Sequence, residues 1–149
     1  MYGLRRKAAI ALSLAAVASV TTLGATSASA APTVNKYAGL EVGATSCGDD
    51  AVTIERKPFG GGADIWLRYS PSCRTIWAHV SGAAAPRPGD SAGGTALIYR
   101  EQDGAADRCN AGQDGSCSTA MLNDAGYTSH ASGTNDTGYT IYRGTTRSY

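Results

Sequence analysis

Asp64-Ile-Trp-Leu-Arg-Tyr69 and, after Ser70-Pro71-Ser72-Cys73-Arg74, Thr75-Ile-Trp-Ala-His-Val80 decide the fold class of this 149-residue chain. Both runs alternate with period two, the spacing of side chains along a β-strand. Ile65, Leu67 and Tyr69 share one face of the first strand, and Asp64, Trp66 and Arg68 the other. In the second, Ile76, Ala78 and Val80 oppose Thr75, Trp77 and His79. Folded as an antiparallel hairpin about Ser70-Pro71-Ser72, the pair offers an aliphatic face for a core and an opposite face bearing Trp66, Arg68, Trp77 and His79. That opposite face has two readings. It is an exposed aromatic platform with a cation and an imidazole, suited to gripping a partner, or its tryptophans fill a second buried layer.

The remainder follows the same pattern of short β-branched and aromatic runs divided by Gly, Pro, Asn and Asp, with no helical periodicity. Strands are predicted over 51–56, 64–69, 75–80, 95–100, 118–122, 127–130 and 139–142. Residues 58–62, 70–72, 85–94, 103–107, 123–126 and 132–138 read as turns or loops. The expected fold is all-β, a small disulfide-bonded sandwich or barrel-like domain of about six or seven short antiparallel strands. Four cysteines, Cys47, Cys73, Cys109 and Cys117, allow three pairings. Cys47 with Cys73 and Cys109 with Cys117 is preferred, because the second pair brackets the turn-rich 110–116 loop. Chain entropy alone makes these links worth about 3.5 and about 2.6 kcal/mol.

Residues 1–30 have the form of a secretory leader: a basic start at Arg5, Arg6 and Lys7, an apolar run over 8–20, and Ala28-Ser29-Ala30 before the expected cleavage at Ala31. Residues 31–46 then read as a flexible arm and 47–149 as a single domain. An oxidising, extracellular location is expected, with no transmembrane segment after cleavage. With the leader go three of the 13 basic residues, leaving 10 against 12 acids and no Lys/Arg cluster. Nucleic acid is therefore not an expected partner.

Recognisable chemistry is sparse. Gly89-Asp-Ser-Ala-Gly-Gly94 approaches a trypsin-like nucleophile loop, but Ala92 interrupts it and His79 and His130 lie at the wrong distances for a triad with Ser91. Asp49-Asp50 and the Asp103, Asp107 and Asp114 series lack calcium-loop spacing and read as turn carboxylates. The cysteines lack zinc-site spacing, so neither a metal nor another cofactor is expected. Asn135-Asp-Thr137 is a glycosylation sequon with no expected use beside a bacterial-style leader.

Leu67-Arg-Tyr-Ser-Pro-Ser-Cys-Arg-Thr-Ile-Trp-Ala78, with Cys47 and Asp50-Ala51 before it and Met121-Leu-Asn-Asp-Ala-Gly126 after it, resembles a secreted family of unknown function common in actinobacteria. In that family the same module also ends membrane-anchored helix-turn-helix proteins. The resemblance spans roughly residues 45–149; it implies an extracytoplasmic module and supplies no catalytic residues. Two functions follow as expectations. The first is a secreted, non-catalytic binding module for an extracellular protein, a peptide or a cell-wall component. The second is an inhibitor of a secreted hydrolase, presenting the Cys109–Cys117 loop with Arg108 beside it.

Overall fold

The computed structural model describes residues 35–89 and 92–149; the expected leader and the nucleophile-like Ser91 lie outside them. Nine strands occur among the described residues: β1 (Val52–Gly60), β2 (Ala63–Ser70), β3 (Thr75–Ser81), β4 (Gly93–Arg100), β5 (Ala106–Asn110), β6 (Cys117–Ser118), β7 (Leu122–Asn123), β8 (Ser129–Asp136) and β9 (Ile141–Thr145). They form two antiparallel sheets. One has the order β1-β2-β3, with β6 and β7 both pairing along the far edge of β3; the other has the order β5-β4-β8-β9. The fold is thus the expected all-β one, a two-layer sandwich.

The β2–β3 hairpin supplies the inner face as its alternation requires. Ile65, Leu67, Ile76, Ala78 and Val80 are fully buried and pack with Ala96 and Ile98 of β4 and Ala131 of β8. Each large aliphatic so buried contributes about 1.5–3 kcal/mol. The hairpin turn is held from outside: Asp50 accepts bonds from the Ser70 hydroxyl (2.6 Å) and the Ser72 amide (2.8 Å), and the Asn35 amide group donates to the Cys73 carbonyl at 2.8 Å. Arg74 closes the turn at φ 51°, a left-handed conformation uncommon outside glycine.

Several strand limits differ from expectation. β1 runs on through Pro58 because it is an edge strand, where a missing amide is tolerated, and a register shift falls between Pro58 and Gly60. β8 occupies much of the polar 132–138 stretch read as a loop. Its Gly133 pairs with Gly144 of β9, and the Phe59 ring lies over both; a Cβ at Gly133 would come within 3.1 Å of that ring. The predicted strand over 118–122 is broken into β6 and β7. There Thr119 bonds Ala78 through both amide (3.0 Å) and hydroxyl (3.1 Å), while the Ala120 amide donates to the Asp107 carboxylate at 2.7 Å. Asn135 of the sequon is fully buried, accepting from the Ala84 amide at 2.8 Å and donating to the Gly60 carbonyl at 3.2 Å.

Both preferred disulfides are present, Cys47–Cys73 and Cys109–Cys117. The first organises a second, smaller cluster on the outer face of the hairpin sheet: Cys47, Cys73, Trp77 and Met121, with Tyr37, Val42 and Ala51 against them. Residues 35–46, the described part of the expected arm, cover this cluster. The Gly39 amide bonds the Met121 carbonyl at 2.7 Å and the Met121 amide bonds the Leu40 carbonyl at 2.9 Å. Two single turns of 3-10 helix, Val42–Ala44 and Ser46–Gly48, complete the cover.

Folding moves the Asp124 carboxyl strongly: burial pushes it up to about 6, against weaker lowering by a 3.5 Å bond from the Ser129 hydroxyl and by the Arg100 and Arg74 charges. A folded value above the unfolded one favours the protonated form. This contribution to stability is fully present below pH 3.8 and lost as pH rises through about 6. Asp124→Asn is therefore expected to stabilise the protein at pH 7–8, by about 1 kcal/mol once the half-exposed setting is discounted, and to change little near pH 4. Urea unfolding of both proteins at the two pH values checks this.

Candidate functional site

The hairpin register sets Trp66 opposite His79 and Arg68 opposite Trp77, so the four outward residues form a compact square on one sheet face. Their environments differ. Trp77, only 3% exposed, is roofed by the Cys47–Cys73 cluster and belongs to the second core layer. Trp66 is half-buried: its indole NH donates to the Ser81 hydroxyl at 3.1 Å, the Arg56 guanidinium lies 4.7 Å over its ring, and Arg56 pairs with Asp64 at 2.5 Å. The Trp66 and His79 rings meet edge-on at 6.3 Å.

Between this face and the covering segment lies a cleft of about 230 Å³, lined by Val42, Gly48, Ala51, Arg68, Trp77, His79 and Ser118. It joins three of the four residues expected from sequence and leaves Trp66 beside it. Arg68 is poorly compensated. One terminal nitrogen donates to the Ala51 carbonyl at 3.3 Å, Nε is buried without a partner, and no ion pair reaches it among the described residues. His79 Nδ1 and the Ser118 hydroxyl lie 2.9 Å apart. Burial first, and the Arg68 charge second, hold the imidazole below its ordinary value. At neutral pH the cleft's standing charge is accordingly that of Arg68.

The His79–Ser118 bond invites comparison with a base and nucleophile. The two are direct cross-strand partners of β3 and β6, where such a bond is an ordinary pairing contact. No carboxylate bonds His79 among the described residues; Asp114, the acid acting on it at longer range, is engaged by the Ser116 amide (3.1 Å) and hydroxyl (2.6 Å). Among the described residues, no third member of a triad bonds His79.

The other candidate acids have structural roles too. Asp50 clamps the hairpin turn and Asp107 caps Ala120. Bonds from Arg100 hold Asp103 down to about 2. No group of three potential metal ligands occurs among the described residues. His130 packs against the Tyr99 ring and lies 3.4 Å from Glu101. The 110–116 loop is stitched to the body through Ala83 N–Gly115 O (3.0 Å) and Ala111 N–Gly94 O (2.8 Å), and closes on itself through Gly112 N–Ser116 O (3.0 Å).

Ser118 and the Val42, Gly48 and Ala51 wall could not be located from sequence. They reach Arg68 through a disulfide and a broken strand, neither of which has a local periodic signature.

Fold and site together define a two-sheet, disulfide-bonded module with a small cationic cleft on its outer face. A family model described as "Protein of unknown function (DUF2690)" matches residues 35–132, about two thirds of the chain, and the chain belongs to that family. The matched segment contains every residue lining the cleft. No curated protein and no solved structure matches the chain.

Proposed function

We propose that the protein is an exported, non-catalytic binding module that engages an extracellular protein, a peptide or a cell-envelope component through the outer face of the β2–β3 hairpin. The observation that carries this reading is Arg68: a guanidinium set in an open cleft beside Trp77 and His79, with no ion pair to an acid among the described residues. A buried or half-buried charge without a counter-ion costs folding free energy, and a partner that supplies the counter-charge recovers it. Export is supported by the leader pattern at 1–30 and by two closed disulfides, a bond type that persists in oxidising compartments. The inhibitor reading has less support. A substrate-like loop is extended and exposed, whereas 110–116 is folded back on itself.

The experiment is capture from culture supernatant and from purified cell wall, comparing the wild type with Arg68→Gln and Trp66→Ala. Selective retention of one component by the wild type, weakened at least tenfold in either folded variant, supports the reading; equal retention by all three removes the hairpin face from consideration. Intact-mass analysis of the protein from the medium is expected to give a chain beginning at Ala31, lighter by about four hydrogens than its reduced form. A free thiol, or a chain retained inside the cell with residues 1–30 attached, would contradict export.

A further inference from the structure

The volume, walls and charge of the cleft narrow the chemistry of what enters it. At about 230 Å³ it falls below the roughly 300–1,000 Å³ of pockets that engulf a complete small molecule, so it suits the end of a chain. One side is cationic. Arg68 keeps donor capacity that Ala51 does not use, and the neighbouring acids are either committed elsewhere or unpaired with it: Asp50 to Ser70 and Ser72, Asp64 to Arg56, Asp114 to Ser116, with Glu41 and Asp49 of the covering segment forming no ion pair to it. The rest of the lining is largely small and apolar, with Val42 and Ala51 packed against the Trp77 cluster. Ser118 and the neutral His79 add a hydroxyl and an imidazole at the rim.

We infer that the cleft captures the C-terminal carboxylate of a peptide whose last residue is small and apolar, the carboxylate lying against Arg68 and the final side chain against Val42, Ala51 and Trp77. This rests on the reading of the hairpin face as a binding surface and names its ligand class. A planar guanidinium with unspent donors matches a carboxylate better than a lone ammonium would, and charge-assisted bonds of this kind are about twice as strong as neutral ones. Amide and ester ends lack the charge. They leave the guanidinium as uncompensated as the empty cleft does, so discrimination between acid and amide is the property that the geometry demands.

The test uses the oxidised protein and two probes, N-acetyl-alanyl-alanine as the free acid and as its amide, followed by two-dimensional amide and imidazole NMR with calorimetric titration. The free acid is expected to shift the His79 ring and Ser118 amide signals and to bind at least tenfold more tightly than the amide. Arg68→Gln, shown to be folded by its melting curve, should abolish that difference; His79→Gln should reduce affinity while keeping it. Acetate alone binding as tightly as the dipeptide would overturn the peptide end in favour of a free small carboxylate. Inorganic phosphate binding as tightly would overturn the carboxylate itself. Equal binding of acid and amide, or no shift from either at the cleft, overturns the inference using wild-type protein alone, whatever the variants do. The binding-module reading is judged separately by capture from supernatant and wall.

Discussion

Trp77→Ala is expected to destabilise the protein by about 3–5 kcal/mol, the cost of truncating a buried large aromatic side chain. Trp77 packs in the second cluster with the Cys47–Cys73 link and Met121, and the covering segment is tethered by that link and by the backbone bonds of Gly39 and Leu40 to Met121, which limits its collapse into the space. Trp66→Ala provides the internal comparison. Half-buried and partly covered by Arg56, it should cost less, about 1–2 kcal/mol from the apolar area involved. Urea unfolding of both variants measures the contrast, and iodide quenching adds a structural readout: one ring accessible, one not. Equal losses, or two quenchable rings, would mean that Trp77 is not part of a core layer.

Removing the Cys47–Cys73 bond by Cys47→Ser with Cys73→Ser has the second large effect, a loss of about 3.5 kcal/mol from loop-closure entropy. Cys109→Ser with Cys117→Ser opens a shorter loop and should lose about 2.6 kcal/mol. Their consequences for the outer face should differ more than their energies. Only the first pair anchors the segment that roofs Trp77, so only its loss should expose that ring to iodide. A first-pair variant that loses under about 1 kcal/mol, with Trp77 still protected, would place the anchoring elsewhere in the segment.

What could be read from sequence was whatever depended on large side chains at regular spacing. Ile65, Leu67, Ile76, Ala78 and Val80 announced the core face by alternation, and all five are fully buried. The cysteine pairing followed because one loop was short and turn-rich. β8 was hidden for the complementary reason. Its inward positions are Ser129, Ala131, Gly133 and Asn135, small or polar so that Phe59 and Ile65 across the core can fill the space, and a strand that receives other residues' bulk has no hydrophobic pattern of its own. β5, Ala-Asp-Arg-Cys-Asn, is held by its pairing with β4 and by a disulfide rather than by intrinsic strand preference. At the candidate site, alternation showed that Trp66, Arg68, Trp77 and His79 share a face. It could not show that residues 35–51 would lie over part of that face, converting a possible open platform into a buried tryptophan and a narrow cleft.

The Cys47–Cys73 bond also bears on when the cleft is complete. One wall of the cleft, Val42 with Gly48 and Ala51, belongs to a segment whose attachment to the hairpin is covalent only after oxidation. With the thiols reduced, Arg68 keeps its place on β2, while the apolar wall is held to the hairpin sheet by noncovalent contacts alone, among them the backbone bonds of Gly39 and Leu40 to Met121. On the proposed reading of the cleft, affinity for peptide ends then depends on the disulfide and is expected to fall when the bond is reduced.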